Sequence, residues 1–338
     1  MEYSNLNKQK NYNSIDLVKF IMAFAVVAIH THPLENCTNG FINNVFSNFF
    51  ELAVPFFFVA SGYLLALKIN YPYEIEDISI IKQKLIKIVK MYIIWMIIYT
   101  PLTVFHNIKE GTSLSNFCLV YIKNLIFVGE QYNSWPLWYL LSTIYSLILI
   151  INLMRLKIKP SGMLIISLLF AFISFGTDWL STTAMQLPAI FQLVQKVIKL
   201  SIYSGRIFRG MIYIPLGMIL GQYRLNMPTN ILMLVIGFVS RCYFENATID
   251  SFLLILTVIG FWGIIEKIEL PNSNIFRALR SASTVIYLIH MYIWSMYYFV
   301  VYKEKTYGMD SFLFTSIVSL ILAFIYFCFL NNKSKKNI

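Results

Sequence analysis

Residues 15–34, IDLVKFIMAFAVVAIHTHPL, form an apolar run with charged residues near its start and histidines near its end. Asp16 and Lys19 lie in the first turns, and His30 and His32 lie in the last. The middle is apolar enough to cross the hydrocarbon core of a bilayer, which takes about 20 residues of helix. Ionisable side chains at membrane depth are costly and usually face a cavity or a partner. The stretch therefore predicts a membrane-spanning helix whose polar groups face the protein interior.

The composition extends this prediction to the whole chain. Of the 338 residues, 58% are hydrophobic and 13% are charged, and the mean hydropathy is +0.66. A soluble domain carries about 25% charged residues. We therefore predict an all-α, polytopic membrane helix bundle with one transmembrane domain at 15–330, preceded by a cytoplasmic tail at 1–14 and followed by another at 331–338. The first apolar run is too long for a signal peptide and lacks a cleavage site, so we expect it to remain as an anchor.

Apolar runs, set against charged and turn residues, predict about ten membrane-spanning helices. The predicted spans are 15–33, 45–67, 88–106, 136–154, 161–179, 209–223, 229–245, 250–266, 282–302 and 310–330. Two further stretches, 113–130 and 187–205, are apolar but interrupted. We interpret them as amphipathic or re-entrant segments, and true spans are the alternative.

Basic residues give the predicted orientation. The net charge is +11, and the lysines and arginines cluster in short segments between the apolar runs. If the N-terminus is cytoplasmic, 18 of the 27 basic residues fall on the cytoplasmic side. This bias predicts that both termini are cytoplasmic in a multi-pass protein of the cell membrane. We expect the lipid bilayer as a partner and no nucleic acid, and the oligomeric state stays open.

The cysteines carry no sign of a metal site or a disulfide framework. Cys37, Cys118, Cys242 and Cys328 are widely separated and form no CxxC pair. Scattered cysteines in an apolar chain usually pack as small hydrophobic side chains. We therefore expect four free thiols and no bound metal.

The polar residues of the first span occupy one helical face. Lys19 and His30 are eleven positions apart, which is close to three turns and about 16 Å along a helix. Asp16 precedes Lys19 by three positions and can pair with it. A snorkelling ion pair at a helix end is the plainer interpretation of Asp16 and Lys19. For His30 the plainer interpretation is a buried histidine bonded to a neighbouring carbonyl.

Two further residues are candidates for an interior site near His30. Glu51 opens the run ELAVPFFFVASGYLL, which an antiparallel second span would place beside the end of the first. A carboxylate there can accept a hydrogen bond from His30 and hold one tautomer, as the orienting group of a general base does. The alternative is an interfacial carboxylate that faces water. His290 lies inside an apolar run, one turn after Tyr287.

The segment before the third span is rich in lysine. It reads IKQKLIKIVK at 81–90, and Lys84 and Lys87 are three apart on one helical face. These lysines fit a positive-inside anchor in contact with lipid headgroups. They also fit an anion site for phosphate groups. Their spacing alone does not separate the two interpretations.

Six motifs together resemble acyltransferase family 3, a family of integral membrane acyltransferases. In chain order they are IDLVKFIMAFAVVAIHTHPL, AVPFFFVASGYLL, KQKLIK, WPLWYLL, RGMIYIPLGMILG and STVIYLIH. Each motif is weak alone, but their joint order and spacing over about 14–330 are specific. Within the family the chain looks most similar to the membrane domain of vancomycin-resistance serine racemases.

The resemblance implies a donor site at the cytoplasmic side. The family carries a basic residue and, after ten intervening residues, a histidine on the first span, which correspond here to Lys19 and His30. It also carries two arginines three apart before the third span, where this chain has Lys84 and Lys87. Lysine keeps the charge but lacks the bidentate fork of arginine. The resemblance implies that these lysines bind the phosphates of acetyl-CoA or another acyl-CoA, the donor substrate.

The resemblance also implies a reaction. Members of the family move an acyl group, often acetyl, from cytoplasmic acyl-CoA to an extracytoplasmic acceptor, such as a hydroxyl of a cell-surface glycan or of a small compound. His30, oriented by Glu51, would act as the general base on that hydroxyl. The candidates for stabilising the thioester oxyanion or placing the acceptor are Tyr139, Arg209 and His290. Cell-wall or polysaccharide O-acetylation is the expected process.

A second function follows from the racemase-like subgroup. Its membrane domain is thought to supply L-serine to the racemase, so an amino-acid transporter of L-serine type is the alternative. A transporter needs no acyl-CoA and often shows an internal repeat between its halves. No such repeat is visible here, and the track from lysines to histidine favours the enzyme. A non-catalytic membrane scaffold is the third possibility.

Overall fold

A computed structural model describes residues 12–183, 188–202, 204–244, 247–302 and 307–336. In these ranges the chain folds into α-helices joined by short 3₁₀ and π turns, with no β-strand. The helices are α1 Asn13–Thr31, α2 Gly40–Glu51, α3 Ala53–Ala66, α4 Ile75–Lys109, α5 Leu114–Lys123, α6 Trp138–Arg155, α7 Pro160–Thr182, α8 Ala189–Ser201, α9 Arg209–Gln222, α10 Met227–Tyr243, α11 Ala247–Ile265, α12 Asn274–Tyr297 and α13 Met309–Lys336. The predicted all-α membrane bundle is confirmed.

Fewer helices than predicted are long enough to cross a membrane. Within the described residues, seven segments have the length and hydropathy of a span: Asn13–Thr31, Gly40–Ala66, Ile75–Lys109, Trp135–Arg155, Pro160–Thr182, Asn274–Val301 and Met309–Phe329. The three remaining predicted spans form α9, α10 and α11, whose apolar stretches are shorter. The 14 residues of α9 extend about 21 Å, against about 30 Å of hydrocarbon. By length and composition, seven of the ten predicted spans therefore qualify within the described residues.

The second predicted span, 45–67, is interrupted in the structure. Helix α2 ends at Glu51 and α3 begins at Ala53. Pro55 has no N–H to donate to the carbonyl of Glu51, four residues earlier, which explains the break. The break leaves the Glu51 side chain at the end of α2, beside the last turn of α1.

Helix α4 is much longer than the predicted span at 88–106. It has 35 residues and therefore extends about 52 Å. A capping box starts it, in which the N–H of Glu74 donates to Asp77 Oδ2 at 2.9 Å. The lysine-rich segment at 81–90, predicted as a loop, is the N-terminal half of this helix.

The two interrupted segments form short helices. Helix α5 continues into a π-helical turn at Asn124–Val128, and α8 has 13 residues. A 13-residue helix extends about 20 Å, so α8 is too short to cross the hydrocarbon core. The interpretation of these segments as something other than full spans is confirmed for the described residues.

Helix α9 lies at the centre of the bundle, packed against α3, α6 and α7. A Cβ at Gly62 would overlap with the Ile214 carbonyl, and a Cβ at Gly217 would overlap with the Val59 carbonyl. Small residues allow such close approach of helices in a membrane. Ser146 Oγ also donates to the Gly210 carbonyl at 2.9 Å. This packing fixes the position of Arg209 at the start of α9.

Candidate functional site

A cavity of about 280 Å³ lies among α1, α3, α4 and α12, and we call it the lysine cavity. Its lining includes Lys19, Lys84 and Arg280, and no carboxylate among the described lining residues. Lys84 Nζ donates to Ser61 Oγ at 2.7 Å and to the Ser61 carbonyl at 3.2 Å. Three cations with no acid in the lining make this cavity suited to an anionic ligand.

The third cation of this cavity differs from the predicted one. Lys87 is exposed and is not among the lining residues. Arg280, from α12, takes that place, and its Nη1 lies 3.6 Å from Asp16 Oδ2. The expected pairing of Asp16 with Lys19 is thus replaced by an ion pair between α1 and α12. Sequence spacing missed Arg280 because it comes from a distant helix.

A second cavity, of about 560 Å³, lies at the other end of α1, and we call it the histidine cavity. It brings together three predicted residues, His30, Glu51 and Arg209. Two unpredicted arginines, Arg206 and Arg241, also line it. Lys19 and His30 therefore both face the protein interior, but in different cavities.

The imidazole of His30 lies between two other rings. Its centroid is 5.4 Å from that of His290, with the ring planes 27° apart. The ring of Trp135 lies 5.5 Å away. His290 is fully buried, and its Nδ1 lies 3.1 Å from the Ile286 carbonyl. The structure thus brings together the two histidines that the sequence singled out.

The contact with Ile286 determines the neutral tautomer of His290. A carbonyl oxygen can only accept, so Nδ1 carries the hydrogen. Nε2 then holds a lone pair, and it has no hydrogen-bond partner in the described part of the chain. Neutral His290 can therefore accept a proton or a hydrogen bond at Nε2, but cannot donate there to an oxyanion. Of the two roles predicted for His290, placing the acceptor fits this neutral tautomer, and donating to the oxyanion does not.

The carboxylate of Glu51 does not serve His30 in this structure. Glu51 Oε2 accepts a hydrogen bond from Arg241 Nη2. The Arg241 side chain is 0% exposed, and it also donates to Asp250 at 2.8 and 3.2 Å and to the Asn48 carbonyl at 3.1 Å. A buried guanidinium needs such partners because an uncompensated buried charge is strongly destabilising. The predicted Glu51–His30 pairing is therefore corrected to a Glu51–Arg241 ion pair.

Arg209 and Arg206 are each close to one carboxylate. Arg209 Nη2 lies 3.2 Å from Asp178 Oδ2, and its guanidinium lies 5.9 Å from the Trp138 ring centroid. Arg206 Nη1 lies 3.6 Å from Glu130 Oε2. The pKa of Glu130 is raised to about 7, because the effect of burial exceeds the opposite effect of the Arg206 charge. Sequence analysis missed Arg206, Arg241 and Asp250; a charged residue inside the apolar run of α10 was the available signal for Arg241.

Three contacting rings, which we call the aromatic barrier, lie where the lysine cavity adjoins the histidine cavity. They belong to Phe57, Tyr139 and Tyr287, and their centroids are 5.4, 5.6 and 6.3 Å apart. Tyr287 lines both cavities, whereas Phe57 and Tyr139 line the lysine cavity. The Tyr287 hydroxyl donates to the Pro136 carbonyl at 2.9 Å. Tyr139, a candidate oxyanion donor, therefore lies in the barrier and not beside His30 in the histidine cavity.

Metal-ligating residues do not converge in the described ranges. No group of three or more His, Cys, Asp or Glu side chains is placed to hold a metal ion there. The four cysteines, Cys37, Cys118, Cys242 and Cys328, are free thiols, as predicted. The side chains that line the two cavities supply imidazole, guanidinium, ammonium, carboxylate, amide and hydroxyl groups.

Comparison with known proteins places the chain in a family. A family model for an acyltransferase domain matches residues 12–330. Two proteins of Enterococcus faecalis, both named amino-acid racemase, are 30% identical over 62% of this chain and 28% identical over 66% of it. A serine/alanine racemase of Enterococcus gallinarum is 32% identical over 36%.

The aligned regions cover 29% of the length of the first two relatives and 17% of the third. The shared part is therefore a fraction of each racemase. No solved structure matches the chain significantly. The family match spans nearly the whole chain, and the chain is a member of acyltransferase family 3.

Proposed function

We propose that this chain is a membrane O-acyltransferase of a bacterial plasma membrane. It moves an acyl group, acetyl in the simplest case, from cytoplasmic acyl-CoA to a hydroxyl of an extracytoplasmic acceptor such as a cell-surface glycan. One observation carries the proposal: a cavity lined by cations and a cavity holding an imidazole lie at the two ends of α1, and Tyr287 lines both.

The lysine cavity is the proposed donor site. Its cations, Lys19, Lys84 and Arg280, converge from three helices without a carboxylate in the described lining. Phosphate groups bind most strongly where cations are free to donate to them. The thioester at the end of the slender CoA arm would pass the aromatic barrier to reach His30, eleven residues further along α1. That separation is about 16 Å.

His30 is the proposed general base. Its neutral imidazole takes the proton of the acceptor hydroxyl as the oxygen attacks the thioester carbonyl. A carbon–oxygen bond forms, the carbon–sulfur bond breaks, and the proton passes to the departing CoA sulfur. Arg206 or Arg209 would stabilise the negative charge on the carbonyl oxygen, since both line the cavity that holds His30.

An amino-acid transporter is the second candidate. The names of the three relatives, which refer to amino acids, favour it. In a transporter of a serine-like molecule, a carboxylate without other partners would bind the ammonium group of the ligand most strongly. In the histidine cavity, Glu51 and Asp250 are both bonded to Arg241. This arrangement favours the acyltransferase.

The test uses the purified protein in lipid nanodiscs, with acetyl-CoA as donor and cell-wall glycan fragments as acceptors. We expect acetyl-CoA to raise the melting temperature and labelled acetyl groups to appear as glycan esters. His30→Gln should keep the thermal shift and lose transfer by about 10²–10⁴-fold. His32→Gln is the matched control because His32 is exposed and lies two residues away.

The transporter gives different results in the same system. L-serine would raise the melting temperature, and proteoliposomes would accumulate labelled L-serine. Acetyl-CoA would then have no effect on the melting temperature. That combination would overturn the acyltransferase proposal.

A further inference from the structure

A third cavity, of about 590 Å³, opens beside the histidine cavity, and we call it the side cavity. The two cavities share Arg206, Arg209 and Ser251. The remaining lining of the side cavity comes from the last turns of α7, including Asp178, from Lys199 of α8 and from Ser204. A ligand group held at the shared arginines would therefore lie at the entrance to the cavity that contains His30.

The lining of the side cavity is positively charged. Lys199, Arg206 and Arg209 come from three different elements, and Asp178 is the one carboxylate among the described lining residues. Asp178 already accepts hydrogen bonds from Arg209 at 3.2 Å and from the N–H of Gly205 at 2.8 Å. The lining thus has two cationic charges in excess, which favours an anionic ligand.

One donor in this lining is unused. Arg209 Nε is buried and has no hydrogen-bond partner in the described part of the chain. A buried donor without a partner costs free energy, about 1–3 kcal/mol for a neutral group and more for a charged one. Arg206 is nearly half exposed, and its nearest carboxylate, Glu130, is 3.6 Å away. Both guanidinium groups can therefore donate further hydrogen bonds to a phosphate.

Helix α8 lines the side cavity with Lys199 and also has exposed apolar side chains. Its polar residues, Gln192, Gln195, Lys196 and Lys199, recur at helical spacing on one face. Gln195 Nε2 donates to the Leu180 carbonyl at 2.7 Å and to the Thr183 carbonyl at 3.2 Å, which holds this face against the end of α7. The exposed apolar residues of α8 are Ile190, Phe191, Leu193, Val194, Val197 and Leu200.

Such a helix is suited to lie in the bilayer interface. An amphipathic helix with lysines on its polar face buries its apolar face among lipid tails and keeps its charges at the headgroups. The side cavity is then bounded by a helix in contact with lipid, at the depth of the phosphates. A molecule that diffuses in that leaflet can reach Lys199 and Arg206 without leaving the membrane.

From the shared arginines, the excess charge and the interfacial helix, we infer that the side cavity binds the phosphate-bearing headgroup of a lipid that enters from the adjacent leaflet. A further consequence of this inference rests on the proposed function. The acceptor of the acyl group is then a lipid-anchored molecule, and the side cavity places its headgroup near His30.

Lipid retention tests this inference without any acyl-CoA. The protein is placed in nanodiscs of phosphatidylcholine that contain a small fraction of a photoreactive phosphatidylglycerol, and the crosslinked lipid is counted by mass spectrometry. We expect Lys199→Gln and Arg206→Gln each to reduce crosslinking by about fivefold. Lys196→Gln is the matched control, because Lys196 lies on the same polar face but does not line the side cavity.

Two outcomes would overturn the inference. An equal loss in Lys196→Gln would mean that the surface charge of α8, and not the cavity, attracts the lipid. Competition by millimolar inorganic phosphate or glycerol phosphate would mean that the site takes a free phosphate compound.

The same protein separates this inference from the proposed function. Thermal stabilisation by acetyl-CoA without specific lipid crosslinking would reject the lipid site alone. Specific crosslinking without any effect of acetyl-CoA would reject the acyltransferase and leave the lipid site intact.

Discussion

The lysine cavity and the histidine cavity each contain a cation, Lys84 and Arg241 respectively, whose hydrogen-bond partners are of opposite kinds. In the lysine cavity, Lys84 donates to the hydroxyl and carbonyl oxygens of Ser61, which are neutral. In the histidine cavity, Arg241 is neutralised by Glu51 and Asp250. A buried cation with acid partners can hold helices together, whereas a cation with neutral partners remains available to a ligand.

Removing the acid partners of Arg241 should have the largest effect on stability. Glu51→Gln with Asp250→Asn leaves the fully buried Arg241 guanidinium without a carboxylate, and an uncompensated buried charge costs about 3–5 kcal/mol. Thermal unfolding, followed by tryptophan fluorescence, measures the loss. Adding Arg241→Met to this double variant should restore most of the loss, since no buried charge remains. No recovery in the triple variant would contradict the role of Arg241 as a neutralised scaffold residue.

Lys84 should show the reverse pattern. Lys84→Met removes a cation that has no carboxylate partner in the described residues, so we expect unchanged or higher stability. Its loss should weaken acetyl-CoA binding by about tenfold or more, since a hydrogen bond to a charged group contributes about 1.5–3 kcal/mol. Titration of the melting temperature with acetyl-CoA measures the affinity. Lys87→Met, on the same helix but exposed, is the control, and an equal effect there would show that overall charge is responsible.

The aromatic barrier should keep the two cavities separate. Ser283 lines the lysine cavity. A cysteine placed there by Ser283→Cys, in a chain whose four native cysteines are replaced by serine, reports whether a reagent can reach the lysine cavity from the histidine cavity. In sealed vesicles, a membrane-impermeant thiol reagent on the histidine side should not label this cysteine. Phe57→Leu should permit labelling, because it removes one of three contacting rings. Tyr287→Phe keeps its ring and serves as the control. Labelling without any substitution would mean that the cavities are already connected.

Glu130 should produce the smallest effect, and one that depends on pH. Burial raises its pKa to about 7, above the value of about 4.3 expected for an unfolded chain. The folded state then binds the proton more tightly, so this group costs stability as the pH rises from about 4 to 7. Glu130→Gln should raise the melting temperature at pH 8 and leave it unchanged at pH 4. A gain that is the same at both pH values would contradict a titrating Glu130.

Local features of the site were predictable from the sequence. Lys19 and His30 lie on one continuous helix, and helical periodicity alone places both on its inner face. The existence and approximate limits of α9, α10 and α11 also followed from apolar runs.

Contacts between distant segments were not predictable. The carboxylate of Glu51 accepts a hydrogen bond from Arg241, 190 positions away. Residue spacing in the sequence does not predict a pairing over this distance. The rotation of α4 decides that Lys84 and not Lys87 lines the lysine cavity, and packing against other helices sets that rotation. The packing of α12 likewise decides that Arg280 lines the lysine cavity. The sequence therefore located the helix that carries the site, but not the partners that complete it.

The length of α4 has a consequence for how fast an anionic ligand arrives. Helix α4 extends about 52 Å, against about 30 Å of hydrocarbon, so we expect its N-terminal part, with the exposed Lys82 and Lys87, to project beyond the apolar layer. These charges lie on the same helix as Lys84, and we expect them to create a long-range field that attracts anions. The association rate of such a ligand should therefore fall as salt shortens the screening distance, while its dissociation rate, governed by contacts inside the cavity, should change little.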